Sequence, residues 1–275
     1  MFEHVPIRTV ADYWNARPCN IRHSARPVGT REYFDEVEAR KYFVEPHILR
    51  LAEFPRWRGR RVLDVGCGIG TATITFARHG ARVTAVDLSE KSVALARRRA
   101  EVCGLDRQID FYVANAEELS RSIPIANYDL IYSFGVVHHT PHPERAIAEM
   151  RRYAGPGSTL KLMVYHRRSW KSLSVLLGYG RGRFWRFPEL IARYSEAQTG
   201  CPVTYTYLPG EIRDLLGRFG FRVTDSWVDH IFPYRVSDYV QYRYIKTWYF
   251  RAMPPAVFRW MERRWGWHLC VTAET

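Results

Sequence analysis

Long apolar runs are missing from this sequence of 275 residues. The longest, such as 173–177, fall far short of the roughly 20 residues needed to cross a bilayer. The first ten residues carry charges with no apolar core behind them, so no secretory leader is expected. Cysteine is sparse and scattered: Cys19, Cys67, Cys103, Cys201 and Cys270 are odd in number and show no zinc-ligand or redox spacing. That excludes a disulfide framework and reads as free thiols in a reducing cytoplasm. No repeat or low-complexity tract appears, which excludes a solenoid. Lysine is scarce as well, with 5 of the 41 basic residues, the other 36 being arginine. Arginine suits planar, bidentate contact with phosphate or carboxylate, although an arginine-biased genome explains the same count. The net charge of +13 attracts nucleic acid, anionic lipid or an acidic substrate without choosing among them.

What is present is an alternation of strands and helices from Arg61 onward. Val62, Leu63 and Val65 make a buried strand that ends in Gly66, and a helix over 71–78 is closed by Gly80. A second strand follows at 81–87. The next helix is capped by Ser89, with Glu90 in its first turn, and stops at Gly104. Further strands are expected at 109–114, 128–134 and 160–165, with a helix over 143–153. After Tyr165 the rhythm breaks, and six basic residues precede the first acid, Glu189. It resumes with a helix at 210–219 and a strand at 221–227, breaks again through an aromatic and arginine-rich stretch at 233–265, and closes with a strand at 267–272. The expected fold is α/β: a seven-stranded, mainly parallel sheet covered by helices on both faces, its last strand antiparallel. Residues 1–57 are expected to form an N-terminal lid or cap. Residues 58–275 form the main domain, with insertions at 166–207 and 233–265 gathered at one rim. Within the cap a helix is expected over 38–54, kinked or split by Pro46.

The strongest motif is the run from Val62 to Gly70, a strand leading directly into Gly66, Gly68 and Gly70. Alternate glycines let the backbone turn tightly and approach a ligand, and the following helix aims its N–H groups at the same spot. Seventeen residues past Gly70, Asp87 ends the second strand, where a carboxylate can accept both hydroxyls of a ribose. The pattern specifies an adenosine-containing ligand. A dinucleotide site is the competitor, but its third glycine would fall at position 71, which is Thr. Asp64 precedes the loop and suits an amino group, which S-adenosylmethionine (SAM) has and NAD lacks.

These residues resemble motif I of the class I SAM-dependent methyltransferases. Residues 83–89 resemble the next motif, whose acid holds the ribose, and Asn115-Ala116-Glu117 stands where the family usually has Asp-Ala against the adenine amine. Residues 128–143 resemble the fourth-strand motif, and Gly155-Pro156-Gly157 the turn before strand five. Within the family the pattern is most similar to the ubiquinone and menaquinone type of small-molecule methyltransferase. The resemblance implies a Rossmann-like fold, SAM as cofactor, and Asp64, Gly66, Gly68, Gly70, Asp87, Leu88, Asn115, Ala116 and Ser133 as its binding residues. Asn115 departs from the usual acid and would accept from the amine without a charge.

Methyl transfer depends chiefly on alignment, with a base needed only where the acceptor carries a proton. His138 and His139, just past strand four, are the candidate bases; His139 bracing the loop beside the methionine moiety is the blander alternative. With His142 they do not read as a metal set, because no acidic partner follows closely, and no metal is expected. Tyr13, Trp14 and His23 in the lid, with Tyr165 and His166 at the end of strand five, are the tentative acceptor-site residues. The expected acceptor is a small molecule or a lipid-like one, methylated at O, N or C. The insertions read as a packed cap, as a peripheral membrane surface or as an RNA surface. RNA ranks last, because strand four ends in Ser133-Phe134-Gly135 and not in the run used by base-amine methyltransferases. Two rival functions stay open: an RNA methyltransferase, and a protein using SAM for chemistry other than methyl transfer.

Overall fold

A computed structural model describes residues 2–195 and 200–275. Residues 196–199 of the first insertion lie outside the described residues. The sheet has seven strands: β1 (Arg61–Val65), β2 (Arg82–Asp87), β3 (Ile109–Val113), β4 (Tyr128–Phe134), β5 (Ala154–Tyr165), β6 (Arg222–Asp229) and β7 (His268–Glu274). Their order is β3-β2-β1-β4-β5-β7-β6. β1 to β5 pair in parallel, and β7 runs antiparallel between β5 and β6. The strand order reverses between β1 and β4. In such sheets that reversal opens a crevice at the carboxyl ends of the strands, where ligands bind.

The central strands read as apolar runs because both faces are covered: β1 is buried throughout after Arg61. One face packs under α3 (His47–Ala52), α4 (Thr71–Arg78) and α5 (Glu90–Cys103), and the other under α6 (Pro143–Arg151) and α9 (Pro209–Arg218). α5 starts where Ser89 accepts the Ser92 amide and ends on Gly104 in the left-handed region.

The N-terminal segment contributes α1 (Ile7–Ala16), α2 (Arg31–Val44) and α3. The expected helix over 38–54 is two helices, split at Glu45-Pro46 because proline cannot supply the next amide bond. A buried ion pair fastens this segment to the core. Arg99 of α5, with a fully buried side chain, donates to Glu38 of α2 at 2.7 Å and to Thr71 of α4 at 2.8 Å.

The first insertion forms α7 (Trp170–Tyr179) and α8 (Phe187–Tyr194), and the second α10 (Val236–Tyr239), α11 (Trp248–Ala252) and α12 (Pro255–Trp265). They follow β5 and β6, so they gather at the carboxyl rim with the N-terminal segment. There the Arg40 guanidinium stacks on the Tyr239 ring at 3.9 Å, and Phe43 meets Tyr244 at 4.9 Å. Trp170 of α7 packs against Phe250 of α11 at 5.9 Å.

Candidate active site

The crevice at the β1/β4 reversal is a cavity enclosing about 1170 Å³ of non-atom space, its open mouth included. One wall is the glycine loop. Gly66 has φ +81°, and a Cβ there would fall 2.0 Å from the Val136 side chain, so the loop can pass the β4 end only as glycine. Gly68 has φ +53° and nothing within 4 Å of a Cβ, which leaves its backbone open toward the cavity. The Gly68 amide donates to Asp87 Oδ2 at 2.8 Å, and the Ser89 amide donates to Oδ1 at 2.8 Å. Asp87 is thereby held rigid at the rim of β2. Burial raises its carboxyl above the usual range, although both amides oppose the shift.

Asp64 lines the floor and accepts from Thr73 Oγ1 at 2.6 Å. Burial pushes its carboxyl up to about 7, against that hydrogen bond. Beside it on β4, in register with Asp64, is Tyr132, whose buried hydroxyl has no hydrogen-bond partner. Burial holds this phenol well above its ordinary range.

The opposite wall is apolar and comes from the N-terminal segment. Ile7, Val10 and Trp14 share one face of α1 at helical spacing, and Tyr42, Ile48 and Phe134 continue the surface. Asn15 anchors the helix, its side-chain oxygen accepting from Ser89 Oγ at 2.8 Å. Lys41 is the one Lys or Arg on the lining among the described residues; its ammonium lies 2.9 Å from both oxygens of Glu45. Burial would lower the Lys41 ammonium, but Glu45 overrides it and raises it, while Lys41 holds Glu45 down to about 2 against burial.

Of the residues expected to bind cofactor, Asp64, Gly66, Gly68, Asp87, Leu88, Asn115 and Ala116 line this cavity. Gly70 stands one step outside it, where a Cβ would lie 3.1 Å from Ala96. Ser133 is fully buried and off the lining, because alternate residues of β4 face opposite sides and Tyr132 and Phe134 take the cavity side. The Asn115 side-chain oxygen already accepts the Glu117 amide at 3.0 Å, capping the short turn that follows.

The two histidines separate. His139 lines the cavity, its ring 5.4 Å from Trp14, and its Nδ1–H donates to the Val203 carbonyl at 2.8 Å. This bond requires a proton on Nδ1 and fixes the orientation of the ring. His138 is fully buried behind it, 3.8 Å from the Tyr165 ring, and neither ring nitrogen has a partner. Burial, reinforced by His139, pushes its imidazole well below the ordinary range, so it is neutral. Among the tentative acceptor-site residues only Trp14 is on the lining. Tyr13 packs edge-on against Trp14, His23 bonds Tyr239 under the second insertion at 3.2 Å, Tyr165 stacks on Trp267, and His166 donates to Gly266 O. Lys41, Tyr42, Ile48, Tyr132 and Phe134 were not singled out by sequence. Nothing in their local pattern distinguishes them from helix and strand core positions.

The glycine loop and the braced rim carboxylate together form a site of the Rossmann-like nucleoside kind. Comparison with known proteins assigns the type. Residues 62–157 match the family described as "Methyltransferase domain". Ubiquinone biosynthesis O-methyltransferase of Azoarcus sp. (strain BH72) is 32% identical over 120 residues, 44% of this chain and 50% of that protein. The chain therefore spans about half the length of the curated relatives it matches. Magnesium protoporphyrin IX methyltransferase from Synechocystis PCC 6803, solved with bound S-adenosylhomocysteine (SAH), superposes with a TM-score of 0.61 at 20% identity, over 98% of this chain and 99% of that one. The [4+2]-cyclase SpnF superposes with a TM-score of 0.56 at 20% identity, over 100% of this chain and 93% of that one. Residues 62–157 thus match a methyltransferase domain, and the whole chain shares the fold of the class I SAM-dependent methyltransferases.

Proposed function

We propose that this protein transfers the methyl group of SAM to an O, N or C centre of a small or lipid-like acceptor. One observation carries the reading: a single cavity with a polar, backbone-rich wall on the glycine-loop side and an apolar aromatic wall on the α1 side. The cofactor, when bound, supplies an electrophilic methyl on a sulfonium. Gly66, Gly68, Leu88, Asn115 and Ala116 would cradle it, Asp87 its ribose and Asp64 its amino group. The open space beside Gly68 suits that role. Ile7, Val10 and Trp14 close over the cavity as a lid that excludes water and packs the acceptor. His139, on the cavity lining, is the candidate base for the acceptor's proton, and its bond to Val203 fixes the ring's orientation. His138 and Tyr165 back that ring as positioning residues.

The enclosed, aromatic acceptor wall favours a small molecule over a polynucleotide. The superposition on a cyclase keeps the non-transfer rival in play, because that fold alone does not dictate methyl transfer. Incubation with methyl-labelled SAM and a panel of quinol-like and amino-acid-derived acceptors separates the two. Labelled product with stoichiometric SAH supports transfer; an altered acceptor with SAM unconsumed supports the rival.

A second reading concerns where the acceptor is met. Among the described residues no helix is long and apolar enough to cross a membrane. Yet Trp248 and Trp260, on the helices that carry Phe250 and Met261 of a small apolar cluster, are 72% and 57% exposed, and Leu177 and Trp185 of the first insertion are 74% and 77% exposed. Arg251, Arg259, Arg263 and Arg264 interleave with them. Indoles beside guanidinium groups suit the interface of an anionic bilayer. Flotation with phosphatidylglycerol vesicles is expected to carry the protein up, and a Trp248→Ser/Trp260→Ser variant to stay behind. Equal flotation of both would remove this reading.

A further inference from the structure

Behind Lys41, outside the cavity, the fold collects imidazoles from distant parts of the chain. His47 opens α3, His268 opens β7, and His230 follows β6. His47 Nε2 lies 2.8 Å from His268 Nδ1, and His268 Nδ1 lies 4.0 Å from Glu45 Oε2. One ligand atom from each of Glu45, His47 and His268 lies within 4.8 Å of the others. His47 and His268 are buried, and Glu45 has a side chain only 13% exposed.

We propose that Glu45, His47 and His268 form a divalent transition-metal site that ties the N-terminal segment to the sheet beside the acceptor cavity. Two nitrogens and a carboxylate oxygen form a donor set suited to Zn²⁺, Co²⁺ or Fe²⁺ and poorly suited to Mg²⁺ or Ca²⁺. Closing the three atoms onto one ion requires the two nitrogens to part slightly and the carboxylate to approach, which are side-chain rotations.

Two observations bear on the group. Its two imidazoles meet nitrogen to nitrogen, His47 Nε2 against His268 Nδ1, and the outer nitrogen of His47, Nδ1, is buried without a partner. His230 sits at φ +72°, a region costly for a side chain with a Cβ, and its ring stacks on His268 at 4.5 Å. That conformation holds a third imidazole against the ring of His268. The position also has a physical consequence. Glu45 and His47 flank the Pro46 break between α2 and α3, so an ion shared with β7 would pin the break against the sheet. Glu45 is the partner of Lys41, which lines the cavity.

The test uses the full chain, stripped with a chelator and titrated with Co²⁺, read by its ligand-field absorption, by bound metal per chain and by the shift in Tm. One Co²⁺ per chain with a raised Tm is expected, and Mg²⁺ is expected to leave Tm unchanged. His268→Asn and His47→Gln are each expected to weaken Co²⁺ binding by more than the roughly 10- to 100-fold cost of losing an outer-shell partner. Retained SAM binding in these variants shows that they fold. His142→Ala, which removes the surface histidine 3.5 Å from Glu144, is expected to bind Co²⁺ like the parent. No Co²⁺ uptake, an equal response to Mg²⁺, or loss only in His142→Ala would each overturn the assignment.

Discussion

The glycine-loop wall and the α1 wall of the cavity are built by different means. The first comes from a single stretch between β1 and β4, in which each turn residue stands next to the strand it terminates. Gly66 and Asp87 act within about twenty residues of one another, and their geometry follows from the local chain. The second wall is assembled from residues far apart, with Ile7, Val10, Lys41, Ile48 and Phe134 meeting only after the fold has formed. The glycine-loop wall is therefore a portable local device, whereas the α1 wall depends on how the N-terminal segment docks onto it.

The joint between the two regions should show the largest effect when cut. Glu38→Ala strands the buried Arg99 guanidinium without its carboxylate. A loss of about 3–5 kcal/mol in urea unfolding is expected. A loss below about 1 kcal/mol would mean that the N-terminal segment is not fastened there.

Next comes the rim carboxylate. Asp87→Ala removes the acceptor of the Gly68 and Ser89 amides along with the group assigned to the ribose. SAM affinity should fall by about 100-fold, the equivalent of two charge-assisted hydrogen bonds. Acceptor binding, measured independently, should change far less.

A pH effect isolates the floor of the cavity. Asp64 titrates near 7 in the folded protein, against 3.8 ordinarily, because burial penalises its charge. The folded state therefore holds a proton that the unfolded state has lost. Stability contributed by this group falls as pH rises from about 4 to 7 and levels off above. An ammonium ligand needs the ionised form, so SAM affinity should rise about tenfold between pH 6 and 8. Asp64→Asn should flatten both profiles, and an unchanged slope would remove Asp64 from the site.

The smallest effect is expected on the apolar wall. Trp14→Ala should raise the acceptor KM about tenfold, from lost apolar contact, with little change in SAM affinity. An equal change in both would mean that α1 covers the cofactor as much as the acceptor.

Sequence reading followed the same division. The seven strands, the antiparallel last strand and the split at Pro46 were all legible, because periodicity, caps and proline act over a few residues. Most residues named for the glycine-loop side do line the cavity, whereas the pleat of β4 turns Ser133 away and presents Tyr132. The pairing of His138 with His139 hid their division of labour, since one step along the chain moves a ring from the cavity wall into the core. His47 and His268, 221 residues apart, carry no signal of their contact in either local stretch. Lys41 and Ile48 look like ordinary helix positions, and only docking makes them cavity wall.

The most direct test of the account is calorimetric titration of the full chain with SAM and, separately, with NAD. The account predicts micromolar, one-to-one SAM binding and no heat of binding with NAD. A folded sample that fails to bind SAM, or that binds NAD as well as it binds SAM, would contradict it.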